Sequence, residues 1–171
     1  MPVNATNTVL PIGLLFFVLT GCAGAPQPAS RPDAAERSRP AAERGVDGVA
    51  GRAADHALQL VGRPYRYGGS SPATGFDCSG LVQYSYAKAG RKLPRSTEDQ
   101  RVTSERIRVA DLRPGDLIFF NQEGKKHGHV AIYVGNGEFV HAPSSGKRVR
   151  TDRLDTPYWS QHISEVRRPG V

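Results

Sequence analysis

The apolar residues of this chain change period at Asp111, and that change limits what the chain can fold into. Upstream, Ala50, Ala53, Ala54, Ala57, Leu58 and Val61 recur at helical spacing and stop at Gly62-Arg63-Pro64, which predicts a helix over 49–61. A second helix opens around Gly75-Phe76-Asp77-Cys78-Ser79-Gly80, with Leu81, Val82, Ser85, Tyr86 and Ala89 on one face and Gly90 just past its end. A short helix is expected near 97–104. Downstream the period is two: segments 116–120, 128–134, 138–142, 148–150 and 162–167 read as strands between Gly-, Asn- and Pro-bearing turns. Helices first and strands later predict an α+β fold, with N-terminal helices packed on an antiparallel sheet.

The 171 residues suit one domain, and the periodic part assigns it to residues 51–171. Residues 1–21 carry no charged side chain and contain the apolar run 14–19, too short to span a bilayer, so they read as a signal peptide. Leu19-Thr20-Gly21-Cys22 resembles the lipobox of bacterial lipoproteins. That resemblance implies that Cys22 is lipidated, with acyl chains such as palmitate, and becomes the first mature residue. Ala23 after it, in place of Asp, implies the periplasmic face of the outer membrane. Residues 22–50 are rich in Pro, Ala and Gly and read as a disordered tether. Four Arg there cancel Asp33, Glu36, Glu43 and Asp47, so the net +7 of the chain belongs to the domain and favours an anionic partner.

With Cys22 taken by lipid, Cys78 is the remaining thiol of an exported chain and has no partner for an intramolecular disulfide. It sits in the first turn of the second helix, with Asp77 as a cap. Amide N–H groups and the positive helix end are expected to stabilise a thiolate there and lower its pKa from about 8.5. A nucleophilic Cys needs a base. His56 and His162 are expected in capping or surface roles, whereas His129 and His141 flank the hairpin Val134-Gly135-Asn136-Gly137-Glu138.

Strand parity decides whether those two can cooperate. A two-residue Asn136-Gly137 loop pairs 132 with 141 and puts the two His on opposite faces. A three-residue loop, or a bulge, pairs 131 with 141 and puts His129, Ala131, Tyr133, Phe139 and His141 on one face. The expectation is the three-residue loop, with Val134 opposite Glu138, Gly137 at positive φ, and small Ala131 letting the Cys78 helix approach. A His129 nitrogen is then expected roughly 3–4.5 Å from the sulfur.

The segments Tyr65-Arg-Tyr-Gly-Gly, Asp77-Cys-Ser-Gly, Leu112-Arg-Pro-Gly-Asp-Leu-Ile-Phe-Phe, His129-Val-Ala-Ile-Tyr-Val-Gly and Phe139-Val-His-Ala resemble, in order and spacing over roughly 50–168, the NlpC family of papain-like cell-wall cysteine peptidases. The resemblance implies a papain-like fold with Cys78 as nucleophile, His129 as base and His141 as the residue that orients it. It implies that the Tyr65 hydroxyl and the Cys78 N–H face the developing oxyanion. Asp77 and Ser79 are site-shaping, and Arg95, Ser96 and Gln100 resemble a substrate-side loop. The implied activity is hydrolysis of amide bonds at diaminopimelate in peptidoglycan stems or crosslinks, by a monomer needing no cofactor or metal. A silent wall-binding module and an acyltransferase are the alternatives.

Two other readings stand beside it. His127, His129 and His141 form a candidate His₃ zinc set, opposed by Lys125 and Lys126 and leaving the Cys78 motif unexplained. Lys147, Arg148, Arg150 and Arg153 form a basic patch, but an exported lipoprotein meets anionic wall polymer and no nucleic acid. Asp116 is expected to cap the turn before a central strand.

Overall fold

The computed structural model describes residues 41–170 apart from Glu123, with side chains from Gly48 onward. The signal segment, Cys22 and residues 23–40 of the expected tether lie outside the described residues. Helix α1 (Ala41–Gln59) starts eight residues before the predicted position, so the last ten residues assigned to the tether are helical. Ala41, Ala42, Glu43 and Arg44 are strong helix formers, and they extend the helix into a stretch where the apolar stripe has not begun. Ala50, Ala53, Ala54 and Ala57 are buried as expected, but just past the helix end it is Leu60 that is buried, while Leu58 and Val61 stay exposed.

After a two-residue hairpin, β1 (Ser70–Ser71) and β2 (Gly75–Phe76), comes helix α2 (Cys78–Lys88). Asp77 caps it, its Oδ1 accepting from the Gly80 N–H at 2.7 Å. Gly90 beyond it has φ 96°, the left-handed geometry expected past a helix end. Leu81, Val82, Ser85, Tyr86 and Ala89 all lie inside. Then follow α3 (Thr97–Val102), β3 (Ser104–Ile107), a 3₁₀ turn, β4 (Leu117–Gln122), β5 (Lys125–Gly135), β6 (Glu138–His141), β7 (Arg150–Arg153), α4 (Pro157–His162) and β8 (Ile163–Pro169). Strands β3 to β8 form one antiparallel sheet in the order β3-β8-β4-β5-β6-β7.

The β1–β2 hairpin, β3 and α4 are absent from the sequence reading, and the hairpin falls in the loop and helix start expected there. Ser-Glu-Arg-Ile of β3 has no alternation to detect and is held by pairing along β8. The six residues of α4 are too few to show a period, and they place His162 at a helix end, not in a strand.

The sheet divides the interior. Leu117, Phe119, Val130, Ile132 and Val140 face α1 and α2, packing with Ala54, Leu81, Val82 and Tyr86. Full burial of each such aliphatic side chain contributes about 1.5–3 kcal/mol. Ile118, Phe120, Ala131 and Phe139 face the other way, under Trp159 of α4. The expectation that Ala131 makes room for the Cys78 helix is therefore incorrect: Ala131 points away from the helical layer.

The β5–β6 hairpin reaches the required parity by a different route from the one expected. Asn136 and Gly137 form a two-residue turn, both at positive φ (54° and 76°), and Gly135 pairs with Glu138. Asn-Gly strongly favours this turn because both positions need φ above zero. The extra residue is displaced into β5 as a bulge between Tyr133 and Gly135, where Gly135 takes φ 102°. Tyr133 then pairs with Phe139 and Ile132 with Val140, so His129 and His141 share a face.

Candidate active site

The first turn of α2 is built around the Asp77 carboxylate. It accepts from the Gly80 N–H at 2.7 Å and the Gly68 N–H at 2.9 Å. Arg95 donates to both of its oxygens, at 2.9 and 2.6 Å, and to the Ser79 hydroxyl at 2.9 Å. Gly80 is required here: a Cβ on it would lie 2.0 Å from the Gly69 carbonyl oxygen, so the helix rests backbone to backbone on the Tyr65–Gly69 loop. This contact holds Cys78 against a cleft of about 680 Å³ that Tyr65, Arg95, Ser96, Thr97 and His129 also line.

Cys78 Sγ lies 3.8 Å from Thr97 Oγ1. Strand β6 ends at His141, and beyond that point the Val130 N–H, with that of Ser79, faces the sulfur. No hydrogen bond joins the sulfur to His129, although both line the same cleft. His129 stands on the sheet face away from α2, and the two meet only around the strand edge, in the shared cleft.

His129 Nε2 and His141 Nδ1 are 2.8 Å apart, and His141 Nε2 is 3.0 Å from Asp152 Oδ2. Trp159 covers both imidazoles, stacked on His129 at 6.0 Å and edge-on to His141 at 5.0 Å. Both rings are almost wholly buried, at 2% and 0% exposure.

Burial dominates the protonation of all three groups. It raises the Cys78 thiol pKa; the Asp77 charge adds to the rise, while the Val130 and Ser79 N–H groups and the Thr97 hydroxyl oppose it. The thiol is thus shifted up and not down as expected, because desolvation and the neighbouring Asp77 charge outweigh the amides of the helix end. Burial pushes His129 down to about 3, helped by the neighbouring His141. Burial also pushes His141 down to about 4, against the pull of Asp152. The resting pair is therefore a neutral thiol and a neutral imidazole.

Other residues singled out in the sequence fall as follows. Gln100 is fully buried and donates to the Ser79 and Pro94 carbonyls, so it ties α3 to α2 and does not face substrate. Ser96 caps α3 by accepting from the Asp99 N–H at 3.0 Å and also lines the cleft. His127 has φ 54°, which turns its ring out of the alternation towards Ser164 (2.8 Å) and Glu165 (3.4 Å) of β8. The three-imidazole zinc set is therefore not assembled. Arg148, Arg150 and Arg153 hydrogen-bond to Gly62, Asp152 and Asp155, a structural use of the basic patch. Asp116 accepts from the Arg113 N–H and pairs with Arg168. Thr97, Asp152 and Trp159 were not anticipated: Thr97 looks like an ordinary helix start, and the β7 and α4 partners of His141 follow from no local pattern.

A cysteine at the start of a helix, meeting a histidine on an antiparallel sheet, defines the papain-like α+β class of thiol-centred domains. This chain belongs to the NlpC/P60 family, whose pattern matches residues 62–168. The bifunctional muramidase/DL-endopeptidase CwlT of Bacillus subtilis is 47% identical over 109 residues, 63% of this chain and 32% of that protein. The murein DD-endopeptidase MepH of Escherichia coli is 41% identical over 115 residues, 65% of this chain and 42% of that protein. A Staphylococcus aureus crystal structure of the NLP/P60 family, described as similar to lipoprotein, matches with TM-score 0.62 at 40% identity, covering 70% of this chain and 41% of that one. The chain spans less than half the length of each of these three.

Proposed function

We propose that the domain is a cysteine endopeptidase that cleaves amide bonds at diaminopimelate in the peptide stems or crosslinks of peptidoglycan. The observation that carries this reading is the 2.8 Å contact between His129 of β5 and His141 of β6, with His129 lining one cleft with Cys78. Relatives named as DL- and DD-endopeptidases support the substrate class.

Because thiol and imidazole are both neutral at rest, His129 acts as general base as the sulfur attacks. The S–H proton passes to His129 Nδ1 while sulfur bonds to the scissile carbonyl carbon. Negative charge develops on the carbonyl oxygen, facing the Cys78 N–H in the first turn of α2 and the Tyr65 hydroxyl. Collapse breaks the C–N bond, the leaving nitrogen takes the proton from His129, and a thioester remains. Water, deprotonated by His129, then releases the acid and restores the thiol.

Purified muropeptides analysed by mass spectrometry test the reading. Fragments shortened by hydrolysis are expected, abolished by Cys78→Ala, by His129→Ala and by iodoacetamide, and unchanged by EDTA. Lengthened products would indicate acyl transfer, and unchanged ones a binding module. EDTA-sensitive activity restored by zinc would overturn the thiol mechanism.

We also propose that Cys22 carries lipid and holds the domain at the periplasmic face of the outer membrane. The Leu19-Thr20-Gly21-Cys22 run supports this. Cys22→Ser is expected to move the protein to the soluble periplasmic fraction with its muropeptide activity intact; membrane retention would contradict it.

A further inference from the structure

Four donor contacts converge on one oxygen of β7. Asp152 Oδ2 accepts from Trp159 Nε1 at 3.0 Å and from Arg150 Nε and Nη2 at 3.0 and 2.7 Å, and His141 Nε2 lies 3.0 Å away. Indole and guanidinium N–H groups can only donate, and an ionised carboxylate can only accept. Burial pushes Asp152 up, but the Arg150 hydrogen bond and the nearby positive groups outweigh it and hold the carboxyl below its usual range, hence ionised. His141 Nε2 must therefore be the donor.

The consequence propagates inward. A neutral imidazole has one N–H. With that of His141 spent on Asp152, His141 Nδ1 is bare and accepts across the 2.8 Å contact, so His129 Nε2 is the donor there. The single proton of neutral His129 is then on Nε2, and its Nδ1 presents a lone pair. We propose that Asp152 is the positioning residue that makes His129 a base, by setting the tautomers of both buried imidazoles through one carboxylate oxygen. This role rests on the endopeptidase reading for its purpose, though not for its geometry.

The surroundings leave Asp152 little competition. Apolar rings press on His141 from Phe139 of β6 and Trp159 of α4. The charged or titratable groups acting on it are Asp152 and Arg150 of β7, Lys147 in the β6–β7 connection, and His129 of β5. Of these only Asp152 can accept a hydrogen bond as an anion. When His129 takes the thiol proton at Nδ1 it keeps its Nε2 proton, so no proton leaves the chain and the Asp152 charge offsets the new imidazolium through His141.

Replacement chemistry separates direction from charge. In Asp152→Asn, the Arg150 and Trp159 donors draw the amide oxygen into the Oδ2 place, which keeps the tautomers and removes the charge. In Asp152→Ala no acceptor remains. The test is two-bond ¹H–¹⁵N NMR of the imidazoles in the full chain at pH 7.5, with kcat and KM on muropeptides. Both rings are expected to be protonated on Nε2 in the unaltered chain and in Asp152→Asn. Asp152→Ala is expected to give mixed tautomers and a kcat lower by at least about tenfold at unchanged KM, with Asp152→Asn retaining most of the activity. His129 protonated on Nδ1 in the unaltered chain would overturn the proposal, as would Asp152→Asn losing as much kcat as Asp152→Ala with its tautomers intact. If Asp152→Ala does not fold, the spectrum of the unaltered chain and the Asp152→Asn comparison still decide. A chain that leaves muropeptides uncut refutes the endopeptidase reading, while the spectra still report the tautomers.

Discussion

Two buried neutral imidazoles make the stability of this domain sensitive to mild acid. His129 and His141 are depressed below the unfolded value near 6.5, to about 3 and about 4, by burial beneath Trp159. For a group whose folded pKa is depressed, the stabilisation is complete above the unfolded pKa and is lost as pH falls towards the folded one. The window thus opens near pH 6.5 and extends down to about 4 to 3. Between pH 6.5 and 5 each unfolded His binds a proton that the folded one refuses. At about 1.36 kcal/mol per pH unit per group, this gives about 2 kcal/mol each by pH 5, or about 4 kcal/mol for the pair. That is a large part of the usual 5–15 kcal/mol of a domain. With an m-value of about 2 kcal/mol/M, the urea midpoint should drop by about 2 M between pH 7.5 and pH 5. His141→Gln is expected to lose about half of that slope, whatever its own stability. A midpoint that moves by less than about 0.5 M, or a slope that His141→Gln leaves unchanged, would show that the imidazoles are not held neutral by burial.

Gly80→Ala should destabilise the domain by about 2 kcal/mol or more in thermal unfolding, because the new Cβ meets the Gly69 carbonyl at 2.0 Å, and should lower turnover by displacing Cys78 from the Tyr65 loop. Asp116→Ala should cost about 3 kcal/mol in urea titration, since it strips Arg168 and the Arg113 N–H of a buried carboxylate, while the folded fraction keeps its activity. Thr97→Val should slow iodoacetamide alkylation of Cys78 by about threefold at pH 7.5, as the hydroxyl at 3.8 Å no longer favours the thiolate. His127→Ala should keep turnover near that of the unaltered chain, because its ring serves β8.

The helical half of the domain was legible because its signals are local. Asp77 capping α2, the Leu81–Tyr86 face and Gly90 at the end can each be read from a few consecutive residues. The hairpin was half legible: parity required one extra residue, but whether it enters the turn or the strand depends on Asn-Gly preferring its own two-residue turn and on Gly135 tolerating φ 102°. Asp152 and Trp159 were illegible because β7 and α4 reach His141 through tertiary placement, and neither carries a periodic pattern. The thiol environment was misjudged for a related reason: helix-end amides show in the sequence, whereas the desolvation that outweighs them exists only once Cys78 packs beside Val130 of β5.

The bulge at Val134 turns the hairpin into a register of odd and even. Because successive side chains alternate faces, a straight ladder through the same twelve-residue spacing would pair Ile132 with His141 and send the imidazole into the helix-facing core, whereas the bulge leaves Ala131 opposite it. The spacing of twelve between the two histidines is then a matter of arithmetic class more than of length. Insertions at Asn136-Gly137 that lengthen both arms by one residue each should leave the imidazole pair facing the same way, because the turn and the bulge are both kept. A length library at this turn, scored for muropeptide cleavage, should retain activity in the members whose added number is even and splits equally between the two arms.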